Sequence, residues 1–344
     1  MVVDLQPSRG ALPVILDTEI GGEPDDAMAL VIAARELPEL ALVITSDELG
    51  GGQRARFARY LLDTAGRADV AVVAGHQLSA NPSYFADGLT PDWVRPASGD
   101  VARAVAEVCA RSGGVARWIG LGPLSNLAAL LAREPGLARR LFVTQLTGTW
   151  SEFDQALPPR NFRLDPAAAS QVLASVHHLR LVSYELLAGQ QAQLTAASPV
   201  IRELAAGAPP SGAASSWAAL LAAHCSQFFA RYHPAVIPGG PLALAAALRL
   251  GFAPFVPARV TIDNSGWIKA TRPGATQTTA TQTTPPAPRP PADTQADVLI
   301  SREVDYRALA DWLSTHLRPG IWAQWARPSA PTRSGTPPRH RAHA

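Results

Sequence analysis

Five carboxylates fall within ten residues near the start of the chain: Asp17, Glu19, Glu23, Asp25 and Asp26. Acids this close repel one another unless something positive compensates. One or two of them can cap a helix, where the positive end of the helix dipole favours them. The others can stay solvated, hold a polar ligand, or hold a hard cation, which takes about 6–8 oxygen ligands with carboxylates prominent. The elements that must position them are readable on either side. Val14-Ile15-Leu16 is a short apolar run of the kind that forms a buried strand. Gly21, Gly22 and Pro24 force a tight loop. Ala27 to Arg35 has helical composition, with Asp25 or Asp26 expected as its cap. A strand that opens into an acidic loop and then a helix puts those acids where open α/β sheets bind ligands.

The rest of the chain repeats this alternation. Leu40–Thr45 and Val70–Ala74 read as strands, with an amphipathic helix over Gln53–Ala65 between them. Strand alternating with helix implies parallel pairing. A helix over Val101–Ser112 and strands at Leu141–Leu146 and Leu179–Ser183 follow. Ser216–Tyr232 is a helix whose apolar spacing reads as core, with His224 a packed or surface histidine rather than a ligand. Val256–Ala270 reads as antiparallel edge strands around Asn264-Ser265-Gly266, Ala296–Ser301 as a returning strand, and Asp305–Leu317 as a closing helix. The expected fold class is α/β, a mostly parallel central sheet flanked by helices with a few antiparallel edge strands. One domain is expected over 13–320, after a loose lead-in at 1–12. The Thr-, Gln- and Pro-rich loop 271–295 and the tail 321–344 are too poor in apolar residues to fold.

Composition narrows the function. Of 344 residues, 47% are hydrophobic, enough for a sizeable core. The 30 basic and 28 acidic residues leave a net charge of +2 with no clustered basic face, which argues against nucleic acid. Cys109 and Cys225 sit in apolar helical patterns and read as buried thiols. No apolar run reaches the ~18 residues of a membrane span, and no signal-peptide core is visible. The expectation is a cytoplasmic enzyme-sized globule.

Three separated segments carry a family resemblance. Asp17-Thr-Glu-Ile-Gly-Gly-Glu-Pro-Asp-Asp-Ala-Met-Ala-Leu30, Leu121-Gly-Pro-Leu-Ser-Asn-Leu-Ala128 and Asn161-Phe-Arg-Leu-Asp-Pro-Ala-Ala-Ala169 resemble, in order, the signatures of the inosine/uridine-preferring nucleoside hydrolases. The resemblance implies Ca²⁺ held by the acidic loop and a water that attacks C1′ of a ribonucleoside or related N-glycoside, releasing the base. Carried over, Glu19 binds metal and acts as base, with Asp25 as its catalytic partner. Asp25, Asp26 and the backbone carbonyl of Leu146 complete the metal set. Asn161 and Asp25 meet the sugar, and Trp150 is a candidate to stack on the base. Asp17, Gly21 and Asn126 brace the loop. The family's homodimers and homotetramers imply self-association.

The sequence also departs from the pattern. Glu19 stands where the family has Asp. Pro159 occupies the position of a sugar-gripping Glu, and the loop after the second strand has Asp47-Glu48 and glycines instead of Gly-Asn. A late His-Asp pair, which supplies a leaving-group acid and a metal ligand, is replaced by Gly239-Gly240. Glu23 is a candidate replacement oxygen and His233 a candidate replacement acid. Two readings therefore stand: a hydrolase of N-glycosidic bonds, or a catalytically impaired relative that binds a nucleoside or sugar or serves as a structural protein.

Overall fold

Val14–Thr18 (β1) is buried along its whole length, Val14 and Leu16 on one face of a sheet and Ile15 on the other. Apolar side chains on successive positions of a strand have this outcome only where both faces are covered. A computed structural model of the chain describes residues 12–80, 82–95, 97, 99–147, 157–187, 189–207, 216–271 and 294–319. The further strands of the central sheet are Leu40–Thr45 (β2), Ala71–Ala74 (β3), Ala116–Gly120 (β4), Leu141–Leu146 (β5) and His178–Val182 (β6), all parallel. Leu194–Thr195 (β7) and Ala235–Val236 (β8) form a separate short antiparallel pair. Phe255–Ile262 (β9), Ile268–Thr271 (β10) and Thr294–Ser301 (β11) close one edge of the main sheet. There β11 runs parallel to β6, and β9 runs antiparallel to both β11 and β10. The nine-stranded order is β10-β9-β11-β6-β5-β4-β1-β2-β3. This is the mostly parallel sheet with antiparallel edge strands that the alternation of elements predicts.

The helices are Pro24–Glu36 (α1), Gln53–Thr64 (α2), Val101–Ala110 (α3), Ser125–Arg133 (α4), Arg160–Arg163 (α5), Pro166–Ser175 (α6), Pro199–Ala206 (α7), Trp217–Arg231 (α8), Gly239–Ala247 (α9) and Tyr306–His316 (α10). One core packs α1, α2 and α7–α10 against the sheet, through residues such as Leu30, Phe57, Leu220 and Leu244. The opposite core packs α3, α4 and α6, with Val105, Leu127 and Val172 against Trp118 and Val143. Asp165 caps α6 by accepting from the Ala168 N–H, with Pro166 in the first turn.

Strand order reverses between β1 and β4. From β1 the chain winds outward through β2 and β3, then returns to β4 on the other side of β1 and winds the opposite way through β5 and β6. The loops that leave β1 and β4 must diverge at that point, and a crevice opens at the C-terminal edge. Among the described residues no helix is long and apolar enough to cross a membrane. Cys109 and Cys225 are buried free thiols.

Candidate active site

The crevice at the reversal of strand order is lined by Glu19, Glu23, Asp25 and Asp26 from the β1–α1 loop and α1. Leu121 follows β4, Leu146 ends β5, and Asn161 sits on α5. Phe85, Tyr184 and Tyr232 give the pocket aromatic walls. The structure thus brings Glu19, Asp25, Asp26, Leu146 and Asn161 together. Trp150 lies outside the described residues, as do most of the lead-in, the Thr/Pro-rich loop and the tail.

The acidic loop is built differently from the expected cap. Glu23 occupies the N-cap position of α1 but its side chain does not cap the helix, while Asp25 and Asp26 lie inside the first turn. Their carboxylates serve other elements. Asp25 accepts from the Gly240 N–H at 2.8 Å, so it caps the N-terminus of α9. Asp26 accepts from the Thr18 hydroxyl at 2.6 Å and the Glu19 N–H at 3.0 Å, which ties the loop back to β1. Burial raises the pKa of both well above the ordinary carboxylate range, and the acids around them add to the shift. Asp17, behind them, is pushed up to about 7 by burial. It accepts from the Asn126 amide at 2.9 Å.

Asn126 does not cap α4, whose N-cap is Leu124. Its amide also donates to the Thr45 carbonyl, and its Oδ1 accepts from the His76 N–H. Asn126 therefore links the ends of β1, β2 and β3. Gly21 has φ +90°, and a Cβ there would run into the Tyr84 ring. His224 is fully buried, with Nε2 3.0 Å from the Gly22 carbonyl oxygen and its ring edge-on to Phe57.

Asp47 and Glu48 are buried as well. Asp47, at φ +48°, accepts from the Leu78 and Ser79 N–H groups. Glu48 takes the first N–H groups of α2, from Arg54 and Ala55, and the Thr45 hydroxyl. His233 bonds with its Nδ1 to the backbone of Ala235 and is not among the pocket-lining residues, so the replacement acid expected from its position in the sequence does not reach the site.

Sequence reasoning missed two arginines. Arg160 meets Glu19 with both ends of its fork, Nε to Oε1 at 3.2 Å and Nη2 to Oε2 at 3.0 Å. It also lies 3.7 Å from Asp47. The Glu19 charge holds this guanidinium protonated more firmly than usual. Arg54, fully buried, donates to the carbonyls of Glu19, Ile20, Asp47 and Ser83. Neither position carries a motif. Arg160 is legible only as a cation directly before Asn161, and Arg54 only as one of several arginines on an amphipathic helix.

The donor set does not fit the calcium ion that the resemblance implies. Glu19 is committed to Arg160. The Leu146 carbonyl accepts from Gln145 at 2.8 Å and from Asn161 at 3.1 Å, which occupies both lone pairs. The Asn161 amide also donates to the Leu121 carbonyl, so any sugar contact it makes falls to Oδ1. Gly240 offers an N–H where the resemblance implies a carboxylate. Among the described residues no group of three or more His, Cys, Asp or Glu side chains is arranged to hold a metal.

A parallel α/β sheet with an acidic, aromatic-walled pocket at its switch point defines a small-molecule site of the kind α/β enzymes use. The chain belongs to the family described as inosine-uridine preferring nucleoside hydrolase, whose profile matches residues 14–311. It is similar to a plant nucleoside hydrolase structure (TM-score 0.67, 20% identity, covering 90% of this chain and 99% of that one). An inosine-guanosine nucleoside hydrolase structure aligns equally well in space (TM-score 0.67, 17% identity, covering 89% and 98%). At these identities the likeness is one of fold. Among curated sequences, an uncharacterised protein of Schizosaccharomyces pombe is 26% identical over 180 residues, covering 48% of this chain and 58% of that protein. A pyrimidine-specific ribonucleoside hydrolase of an Enterobacter species is 28% identical over 242 residues, covering 65% of this chain and 73% of that protein.

Proposed function

We propose that this pocket hydrolyses the N-glycosidic bond of a ribonucleoside or a related N-glycoside. The observation that carries the reading is the buried Asp25–Asp26 pair facing an aromatic-walled crevice at the reversal of strand order. Departure of a base from C1′ leaves oxocarbenium character on the sugar, and fixed carboxylates in a partly dry site stabilise it. Asp25 accepts a proton from water as the water oxygen bonds to C1′. The C1′–N bond breaks, its electron pair leaves with the base, the base nitrogen takes up a proton from solvent, and Asp25 returns its proton to solvent. Burial raises the Asp25 pKa to about 8, so the ionised form that accepts the proton grows as the pH rises toward that value, and base release is expected to rise with it. Asp26 fixes the β1–α1 loop beneath the sugar through the Thr18 hydroxyl and the Glu19 N–H, and Asn161 Oδ1 orients a hydroxyl. Phe85, Tyr184 and Tyr232 offer faces for a nucleobase. Self-association, implied by the resemblance, is part of this reading.

The test is base release from a mixed set of purine and pyrimidine nucleosides by wild type, Asp25→Asn and Asp26→Ala. Removal of the base or of the neighbour that fixes the loop is expected to lower turnover by roughly 100-fold or more. A folded wild-type protein that releases no base overturns the hydrolase reading. The second reading, a nucleoside-binding or structural relative, is favoured by the engagement of Glu19 with Arg160 and by Gly240 in place of a carboxylate. Equilibrium dialysis with the same nucleosides separates a binding relative from a structural one, and light scattering reports self-association.

A further inference from the structure

The acidic loop and its surroundings carry Glu19, Asp25, Asp26 and Asp47, all buried or nearly so, around one pocket. Carboxylates crowded in this way either take up protons or need a compensating cation. One is already there. Arg160 reaches into the pocket from α5 and binds Glu19 through a two-pronged pair, with side-chain exposures of 25% and 16%. The same Nη2 lies 3.7 Å from Asp47, whose side chain is fully buried. A guanidinium presents fixed, planar donors and keeps its charge at any working pH, so it is suited to a permanent place between carboxylates.

The other oxygens that a hard cation would need are committed elsewhere. Leu146 accepts from two amides, and Asp25 from the N-terminus of α9. Gly240 provides no carboxylate, and Glu19, one methylene longer than Asp, extends to the arginine.

We propose that the guanidinium of Arg160 is the resident cation of this site, standing in for a divalent metal and making ligand binding in the pocket metal-independent. Arg160 is in this sense a positioning residue. It holds Glu19 away from Asp25 and Asp26 and fixes the charge that a metal would otherwise supply. The inference rests on the pocket being the functional site proposed above, but its readout does not require turnover.

Calcium alone is titrated calorimetrically into wild type, Arg160→Met, Arg160→Lys and the double variant Arg160→Met/Glu19→Gln, each prepared in chelator and then desalted. Wild type and Arg160→Lys are expected to show no saturable binding up to about millimolar calcium, the weak end of oxygen-ligand sites. Arg160→Met frees Glu19 and is expected to bind at least about ten-fold more tightly, with a melting temperature that calcium raises. The double variant is expected to lose that gain. Saturable micromolar binding by wild type overturns the proposal, as does a folded Arg160→Met protein indifferent to calcium. Base release measured in chelator on the same samples separates the two ideas. Turnover insensitive to chelator supports both. Absence of turnover in every sample defeats only the hydrolase reading and leaves the calcium comparison to decide the role of Arg160.

Discussion

At Asp25 one carboxylate serves two helices. It sits in the first turn of α1, where an acid is favoured, and it accepts from the first free N–H of α9. Its neighbour across that contact leaves no room for the late carboxylate that the resemblance implies. A Cβ on Gly240 would lie 2.9 Å from the Asp25 carbonyl oxygen and 3.3 Å from the Ala29 Cβ. Gly240→Asp, which restores the family residue on paper, is therefore expected to destabilise the protein by roughly 1–3 kcal/mol through overpacking, without creating a metal site. Chemical denaturation and calcium titration of that variant check both halves. His224 gives a second prediction at this scale. Burial lowers its pKa to about 4. The unfolded chain takes up the proton first as the pH falls, so this residue costs stability between about pH 6.5 and 4 and nothing further below. The full cost is roughly 3 kcal/mol. Asp17, with its raised pKa, acts in the opposite sense over the same range. The measurement is therefore the difference in unfolding free energy between wild type and His224→Asn, which should narrow as the pH drops through that window. The acids of the site are legible in the sequence because five of them crowd one loop. The partners of Asp25 and Glu19 are not, because Gly240 and Arg160 lie 215 and 141 residues away and a glycine N–H or a lone arginine carries no pattern.

Among the elements, α2 holds the site together. Arg54 enters from its first turn and donates to carbonyls in the β1–α1 loop, the β2–α2 loop and Ser83. Glu48 receives the N-terminus of the same helix. Carbonyls in these loops have no strand or helix partner, and buried they would be costly without a donor. Arg54→Met removes that donor while keeping the apolar stem. It is expected to destabilise by about 3–5 kcal/mol, read from urea unfolding, and to lower base release further than its stability loss alone predicts. α9 is a different case. Its run of Gly, Pro, Ala and Leu is buried throughout and packs on α1, so small side chains here let two helices approach closely. The helix begins at Gly239, two residues before Pro241. That start matters, since it puts the Gly240 N–H at the open end of the helix. The α1 helix was legible and its expected cap was not, because Asp25 and Asp26 satisfy donors supplied by other parts of the chain.

For the whole molecule, the order of strands was readable as an alternation of apolar runs and amphipathic helices, and the three motifs fall on the ends of β1, β4 and β5 or on the helix that follows. What the alternation does not encode is the position of the reversal between β1 and β4, which depends on which strand pairs with β1 after β3 is in place. That reversal draws the pocket from Glu19, Ser83, Leu121, Leu146, Arg160, Tyr184 and Tyr232, residues spread over most of the described chain. A site assembled from so many segments should be lost when the sheet is lost, so ligand occupancy should be linked to global unfolding rather than to a local opening. A nucleoside bound at about 100 times its dissociation constant is expected to stabilise the fold by about 2.7 kcal/mol and to raise the melting temperature by several degrees. Asp26→Ala, which removes an acceptor from both Thr18 and the Glu19 N–H, should abolish most of that shift. Scanning calorimetry with a ribonucleoside, and with free ribose as a product control, makes the measurement. A nucleoside that binds by dialysis yet leaves the melting transition unmoved would mean that the pocket opens independently of the sheet, and the coupling between crevice and core argued from the strand order would fail.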